Sequence, residues 1–103
     1  MGGFCMKQIT PAEVEQLLAE GKDITILDVR ETYEVAQGKI PGAINIPLGL
    51  LNARIHELDK KKEYIVVCLS GSRSSYATMF LDSLGYNAAN MVGGMMAWQG
   101  QIV

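Results

Sequence analysis

The residues with the most chemistry to offer stand together as Cys68-Leu69-Ser70-Gly71-Ser72-Arg73-Ser74. A lone thiol closes an apolar run, a small polar turn follows, and a helix opens behind it. The unpaired N–H groups of a helix's first turn and the amides of a tight glycine-containing loop converge on one point and favour negative charge there. A thiol held at that point ionises more readily, and the thiolate is the nucleophile. Arg73 adds a full positive charge, although a guanidinium at a helix start opposes the macrodipole. Its position is therefore explained by the loop and not by the helix. A cysteine after a valine-rich strand is, by itself, an ordinary buried thiol. With Ser70, Gly71, Ser72 and Arg73 behind it, Cys68 reads as an anion-holding nucleophile.

The flanking elements must aim that thiol. Residues 64–69 are apolar and β-branched without polar alternation, the pattern of a strand covered on both faces. From Ser74 the spacing becomes helical, with Tyr76, Ala77, Phe80, Leu81 and Leu84 on one stripe and Gly85 placed to end it. Upstream, residues 7–10 read as a short first strand. Thr10, Pro11 and Glu13 open a helix with a capping box, Val14, Leu17 and Leu18 form its apolar stripe, and Gly21 ends it. Residues 24–29 form a buried strand that ends in Asp28 and Arg30. Polar groups at strand C-termini in α/β sheets often face the site, which makes this pair candidate supporting residues; the alternative is that Asp28 accepts backbone N–H groups of the next turn.

A brief helix is expected over residues 32–37, a turn over 38–43, a short strand over 44–47, and a helix over 48–58 with Leu51, Ile55 and Leu58 inward. Lys60, Lys61 and Lys62 form a solvated turn. Residues 88–92 read as the last strand, and residues 93–98 as a glycine-started closing helix whose Met95, Met96 and Trp98 either fill the core or rim the pocket mouth. Strands and helices alternate throughout. The expected fold is therefore α/β, a small parallel sheet of about five strands flanked by helices on both faces.

With 103 residues, the chain is expected to be a single domain spanning residues 1–103. A hydrophobic fraction of 49% and a charged fraction of 19% describe a soluble globular protein. A formal net charge of −2 leaves no basic footprint for nucleic acid or for an anionic membrane. The apolar runs are too short to span a bilayer, and residues 1–8 lack the charged and apolar regions of a signal peptide, so a cytoplasmic location is expected. A structural disulfide between Cys5 and Cys68 is disfavoured in that setting. Cys5 reads either as an incidental thiol near the chain end or as a resolving thiol, should the N-terminus fold over the loop. The single histidine, His56, rules out a Cys/His zinc cluster. It is expected on a surface helix with Arg54 and Glu57, and could pair with Cys68 only by approaching it.

Three blocks together resemble the rhodanese-like sulfurtransferase family. Asp28-Val29-Arg30-Glu31, followed by Gly38-Lys39-Ile40-Pro41-Gly42-Ala43-Ile44-Asn45-Ile46-Pro47, is similar to its front-half signature. Cys68-Leu69-Ser70-Gly71-Ser72-Arg73-Ser74 matches its active-site loop, and Gly85-Tyr86 with Asn90-Met91-Val92-Gly93-Gly94-Met95-Met96-Ala97-Trp98 resembles its closing segment. The resemblance implies a Cys68 that attacks a sulfane sulfur, carries it as a persulfide and passes it to a thiophilic acceptor such as cyanide or a thiol. The loop amides from Leu69 to Ser74 would hold the sulfur without a metal or organic cofactor. The hydroxyls of Ser70 and Ser72 serve either an incoming oxyanion or only the turn. Arg73 is expected to hold the loop through backbone or carboxylate contacts, with substrate attraction as its second use. Partners implied are a small sulfur-containing substrate, thiosulfate or polysulfide among them, or a protein persulfide donor, met by a monomer or weak homodimer.

Two departures from the family pattern matter. Lys39 stands where the family often has His, in a structural turn. Leu69 and Ser70 carry no positive charge, whereas members that use thiosulfate well often place cations there, so thiosulfate is expected to be a poor donor. The related phosphatases and arsenate reductases are a second reading, but the phosphatases of this fold have one more loop residue than the six from Cys68 to Arg73. A non-catalytic binding module is the third; such modules often lose the cysteine that this chain keeps.

Overall fold

The computed structural model describes residues 6–103. Its elements in chain order are β1 (Gln8–Ile9), α1 (Pro11–Ala19), β2 (Thr25–Asp28), α2 (Thr32–Val35), β3 (Ile44–Asn45), two 3-10 turns (Leu48–Leu50 and Ile55–Glu57), β4 (Glu63–Val67), α3 (Ser72–Ser83), β5 (Asn87–Met91) and a closing 3-10 turn (Gly94–Ala97). The five strands form one parallel sheet in the order β1-β5-β4-β2-β3. Each parallel step requires a crossover, and the helices and 3-10 turns supply them.

Successive side chains of a strand point to opposite faces, so the apolar run of β4 feeds two cores. Tyr64 and Val66 join Leu27, Val29, Ile46, Leu51, Ala77 and Leu81 on the α3 face. Ile65 and Val67 join Val14, Ile26, Ile40 and Met91 on the α1 face. Continuing the alternation sends Cys68, one residue past β4, to the α3 face, where it is fully buried. The sheet thus fixes which way the thiol points.

The helix starts and stops follow local chemistry. The Thr10 hydroxyl accepts from the Glu13 N–H at 3.1 Å while the Glu13 carboxylate accepts from the Thr10 N–H at 2.9 Å, the reciprocal box expected there. α3 ends where Gly85 turns to φ +90°, with the Gly85 N–H bonded to the Asp82 carbonyl and the Tyr86 N–H to the Leu81 carbonyl.

Several expectations are corrected. Residues 48–58 are not one helix but two 3-10 turns. Gly49 and Asn52 are poor helix formers, and Leu51 and Leu58 reach the core without a continuous helix. α3 begins at Ser72, and its inward residues are Ser74, Ala77, Thr78 and Leu81. Tyr76 and Leu84 face solvent, and Phe80 is half-buried. The helix lies close over β4 and β5, so its inward stripe is built from smaller side chains and is rotated away from Tyr76. On α1 only Val14 is buried, with Leu17 half-buried and Leu18 exposed. The closing helix is a single 3-10 turn. Trp98 is half-buried against the α1-face core with Met95, and Met96 is exposed. Cys5 lies outside the described residues. No helix among the described residues is long and apolar enough to cross a membrane.

Candidate active site

The site is built where β4 ends and α3 begins. Gly71, at φ +102°, lets the chain reverse between them. No side chain caps α3; its first turn and the preceding loop face the Cys68 sulfur instead. The Gly71 N–H donates to Sγ at 3.1 Å, and the Ser74 hydroxyl lies 3.3 Å from it. Burial pushes the Cys68 thiol up. The Ser74 hydroxyl and the amides of Ser74, Gly71 and Ser70 outweigh that push, and the thiol ends below its ordinary value. A buried sulfur with this donor set is prepared to be an anion.

The closing 3-10 turn orients the loop from behind. The Met95 N–H donates to the Cys68 carbonyl at 2.8 Å and the Met96 N–H to the Leu69 carbonyl at 2.9 Å. In a trans peptide the C=O and the following N–H point in opposite directions. Drawing these two carbonyls towards residues 95 and 96 turns the amides of Leu69 and Ser70 the other way. Contact with the turn is so close that a Cβ on Gly94 would stand 2.5 Å from the Leu69 oxygen and 2.6 Å from that of Cys68. A Cβ on Gly71 would stand 3.2 Å from the Gly93 nitrogen.

Arg73 does not point at Sγ as a hydrogen-bond donor. Its guanidinium grips the Glu34 carboxylate of α2 through two bonds of 2.7 and 2.9 Å, the carboxylate contact expected of it. That grip holds Glu34 down to about 2 and raises Arg73 further above its already high range. The charge stays near the thiolate while the pair ties α2 to the start of α3.

Asp28 and Arg30 are brought together, but not to the sulfur. The buried Asp28 carboxylate accepts from the Arg30 guanidinium at 2.7 to 3.1 Å and from the Arg30 N–H at 3.0 Å. Arg30 also donates to the Gly38 carbonyl at 2.9 Å, and the Asn45 amide bridges the carbonyls of Asp28 and Arg30. The pair therefore braces the turn over residues 38–43, and Asp28 takes the backbone-accepting alternative. Arg30 nevertheless lines a cavity of about 240 Å³ beside the loop, with Tyr33, Glu34, Gln37, Gly38 and Leu69. Ser70 and Ser72 are exposed. His56 is exposed on the second 3-10 turn and makes no hydrogen bond to Cys68. Among the described residues no group of three His, Cys, Asp or Glu side chains could hold a metal ion.

Sequence reasoning missed two residues of this neighbourhood. Glu34 was foreshadowed only by the need of Arg73 for a carboxylate. Asn90, whose Oδ1 accepts from the Ser74 hydroxyl at 2.5 Å, was foreshadowed by being a polar residue inside the apolar strand of residues 88–92.

The family model for the rhodanese-like domain matches residues 10–101. The YtwF protein of Bacillus subtilis (strain 168) is 40% identical over 96 residues, covering 93% of each chain. A sulfurtransferase of Allochromatium vinosum is 35% identical over 94 residues, covering 90% of this chain and 88% of that one. The crystal structure of a rhodanese-like domain protein from Staphylococcus aureus superposes with a TM-score of 0.88 at 38% identity, covering 93% of this chain and 94% of the other.

Two predictions follow from the loop's supports. Gly94→Ala, at φ +60° and against the Leu69 oxygen, forces the loop to shift. We expect a stability loss of about 1–3 kcal/mol and a higher midpoint for the Cys68 thiolate absorbance at 240 nm. The Glu34 carboxylate titrates near 4.5 when unfolded and at about 2 when folded, so its stabilisation is complete above pH 4.5 and fades as pH falls towards 2. Because Arg73 is 35% exposed, solvent screening reduces this to about 1 kcal/mol. Urea titrations of wild type and Glu34→Gln between pH 6 and 2 should draw together as the pH falls and approach one another only at the acid end.

Proposed function

The chain belongs to the rhodanese-like domain family, and from that premise we propose that it transfers sulfane sulfur through a persulfide on Cys68. The observation that carries this reading is the buried Sγ facing the Gly71 amide of the six-residue loop and the hydroxyl of Ser74, the residue that follows it. In the first step the Cys68 thiolate attacks the outer sulfur of a donor R–S–S⁻ or S–SO₃²⁻. A bond forms between Sγ and that sulfur, the donor's S–S bond breaks, and the leaving thiolate or sulfite keeps the electron pair. The loop amides then hold the charge of the Cys68 persulfide. In the second step a thiolate or cyanide attacks the outer sulfur, and Cys68 leaves as the thiolate it began as. The cycle closes without redox change and without a metal or organic cofactor.

The rim favours a donor other than thiosulfate. Leu69 is 44% exposed and Tyr33 70% exposed beside the cavity, and Arg73, the cation of the loop, is already neutralised by Glu34. A doubly charged oxyanion finds no free cation at positions 69 and 70, whereas a polysulfide or a persulfide with an apolar stem loses little there.

Intact-protein mass spectrometry after incubation with polysulfide or with thiosulfate tests the reading. Wild type should gain one sulfur atom that cyanide removes, and Cys68→Ser should gain none. No adduct from any donor would instead support a binding role for the same fold. Leu69→Lys should raise kcat/KM for thiosulfate by about tenfold with a smaller gain for polysulfide, as expected for one cation placed near a dianion.

A further inference from the structure

A buried polar chain runs from the sulfur into the sheet. Cys68 Sγ lies 3.3 Å from the Ser74 hydroxyl, and that hydroxyl lies 2.5 Å from Oδ1 of Asn90 on β5. Cys68 and Ser74 are fully buried and Asn90 is 4% exposed. Ser74 is held in place by the Thr78 hydroxyl, which donates to the Ser74 carbonyl at 2.7 Å. A serine hydroxyl has one proton to donate. With Cys68 neutral the chain is complete in one direction: Sγ–H donates to Ser74 Oγ, and Ser74 Oγ–H donates to Asn90 Oδ1.

Ionisation breaks that direction. The Sγ proton leaves to solvent, the sulfur becomes an acceptor only, and the Ser74 proton is worth most when turned towards it. Oγ then confronts Oδ1 at 2.5 Å with no proton between them. An asparagine removes the conflict, because its amide carries donors on one side and an acceptor on the other and can rotate by half a turn. Nδ2–H then donates to Ser74 Oγ while Ser74 Oγ–H donates to the thiolate. No covalent bond other than S–H changes.

We propose that Ser74 and Asn90 form a reversible hydrogen-bond relay whose direction follows the charge on Cys68, with Asn90 as a positioning residue acting through Ser74. The charged groups around it are few. Arg73 on α3 is closed on Glu34 of α2, with Glu31 nearby, and Asp28 and Arg30 after β2 are closed on each other. β5 and the closing 3-10 turn bring no titratable side chain. Hydrogen bonds therefore carry the distinction between the two sulfur states on that side of the site. The relay concerns the thiolate on which the sulfur-transfer reading rests, but it can be read with no sulfur donor present.

The test is a pH titration followed by thiolate absorbance at 240 nm and by the side-chain amide resonances of Asn90 in ¹⁵N-labelled protein, assigned by their loss in Asn90→Ala. In wild type the Asn90 resonances should move with the same midpoint as the absorbance. Ser74→Ala should raise the absorbance midpoint by about one pH unit and abolish the Asn90 movement. Asn90→Asp, which offers Ser74 only acceptors once ionised, should also raise the midpoint. Asn90 resonances that stay still in wild type, or that move equally in Ser74→Ala as a mere field effect, would overturn the relay. Sulfur loading is not read here, so a relay found in a protein that takes up no sulfur would sink only the sulfur-transfer reading.

Discussion

Everything in this fold answers to the requirement that a buried sulfur anion be met by donors. Desolvation works against the charged form, and Cys68, with no exposed surface, is subject to it. Backbone amides are suited to the task because they bring positive dipole without bulk and without a counter-charge that would collapse onto the sulfur. They must, however, all point inwards, which a free chain does not do. The two bonds from residues 95 and 96 to the carbonyls of Cys68 and Leu69 impose that orientation. Gly94, where a Cβ would meet the Leu69 and Cys68 oxygens, is the condition for approaching so closely.

The sheet supplies the frame in which this becomes possible. β4 is flanked on both sides, by β5 and β2, so its end has little freedom to move. Asn90 lies opposite Val66 in the register of β5 on β4, which sets the polar end of the chain through Ser74 beside the strand that delivers the cysteine. α3 closes over them with Ser74, Ala77 and Thr78 inward, small enough for the helix to lie near the strands. The Arg73–Glu34 pair fastens the same helix to α2 from the solvent side.

The parts legible in the sequence were those decided by neighbours in the chain. The strand-loop-helix around Cys68, the Thr10 box and the Gly85 stop are local, and the structure keeps them. The carboxylate contact of Arg73 was legible in kind, since a guanidinium at a helix start needs a partner, but Glu34 stands 39 residues away and nothing local selects it. Asn90 was hidden for the same reason. Residues 48–58 failed differently. Leu51, Ile55 and Leu58 have helical spacing, yet Gly49 and Asn52 weaken the helix, and contacts with the sheet decide between two conformations that both bury the leucines. The stripe of α3 also depended on tertiary contacts, because seating Ser74 against the sulfur turns Tyr76 outward.

The outer strands of the sheet are its shortest, two residues each in β1 and β3. An exposed strand edge is a template on which another chain can pair, and long flat edges invite association. Here one edge runs directly into the capped α1, and on the other the Asn45 side chain bonds back to its own sheet neighbour, between the carbonyls of Asp28 and Arg30. Among the described residues, each edge strand offers a partner only two residues of paired backbone from which to extend the sheet.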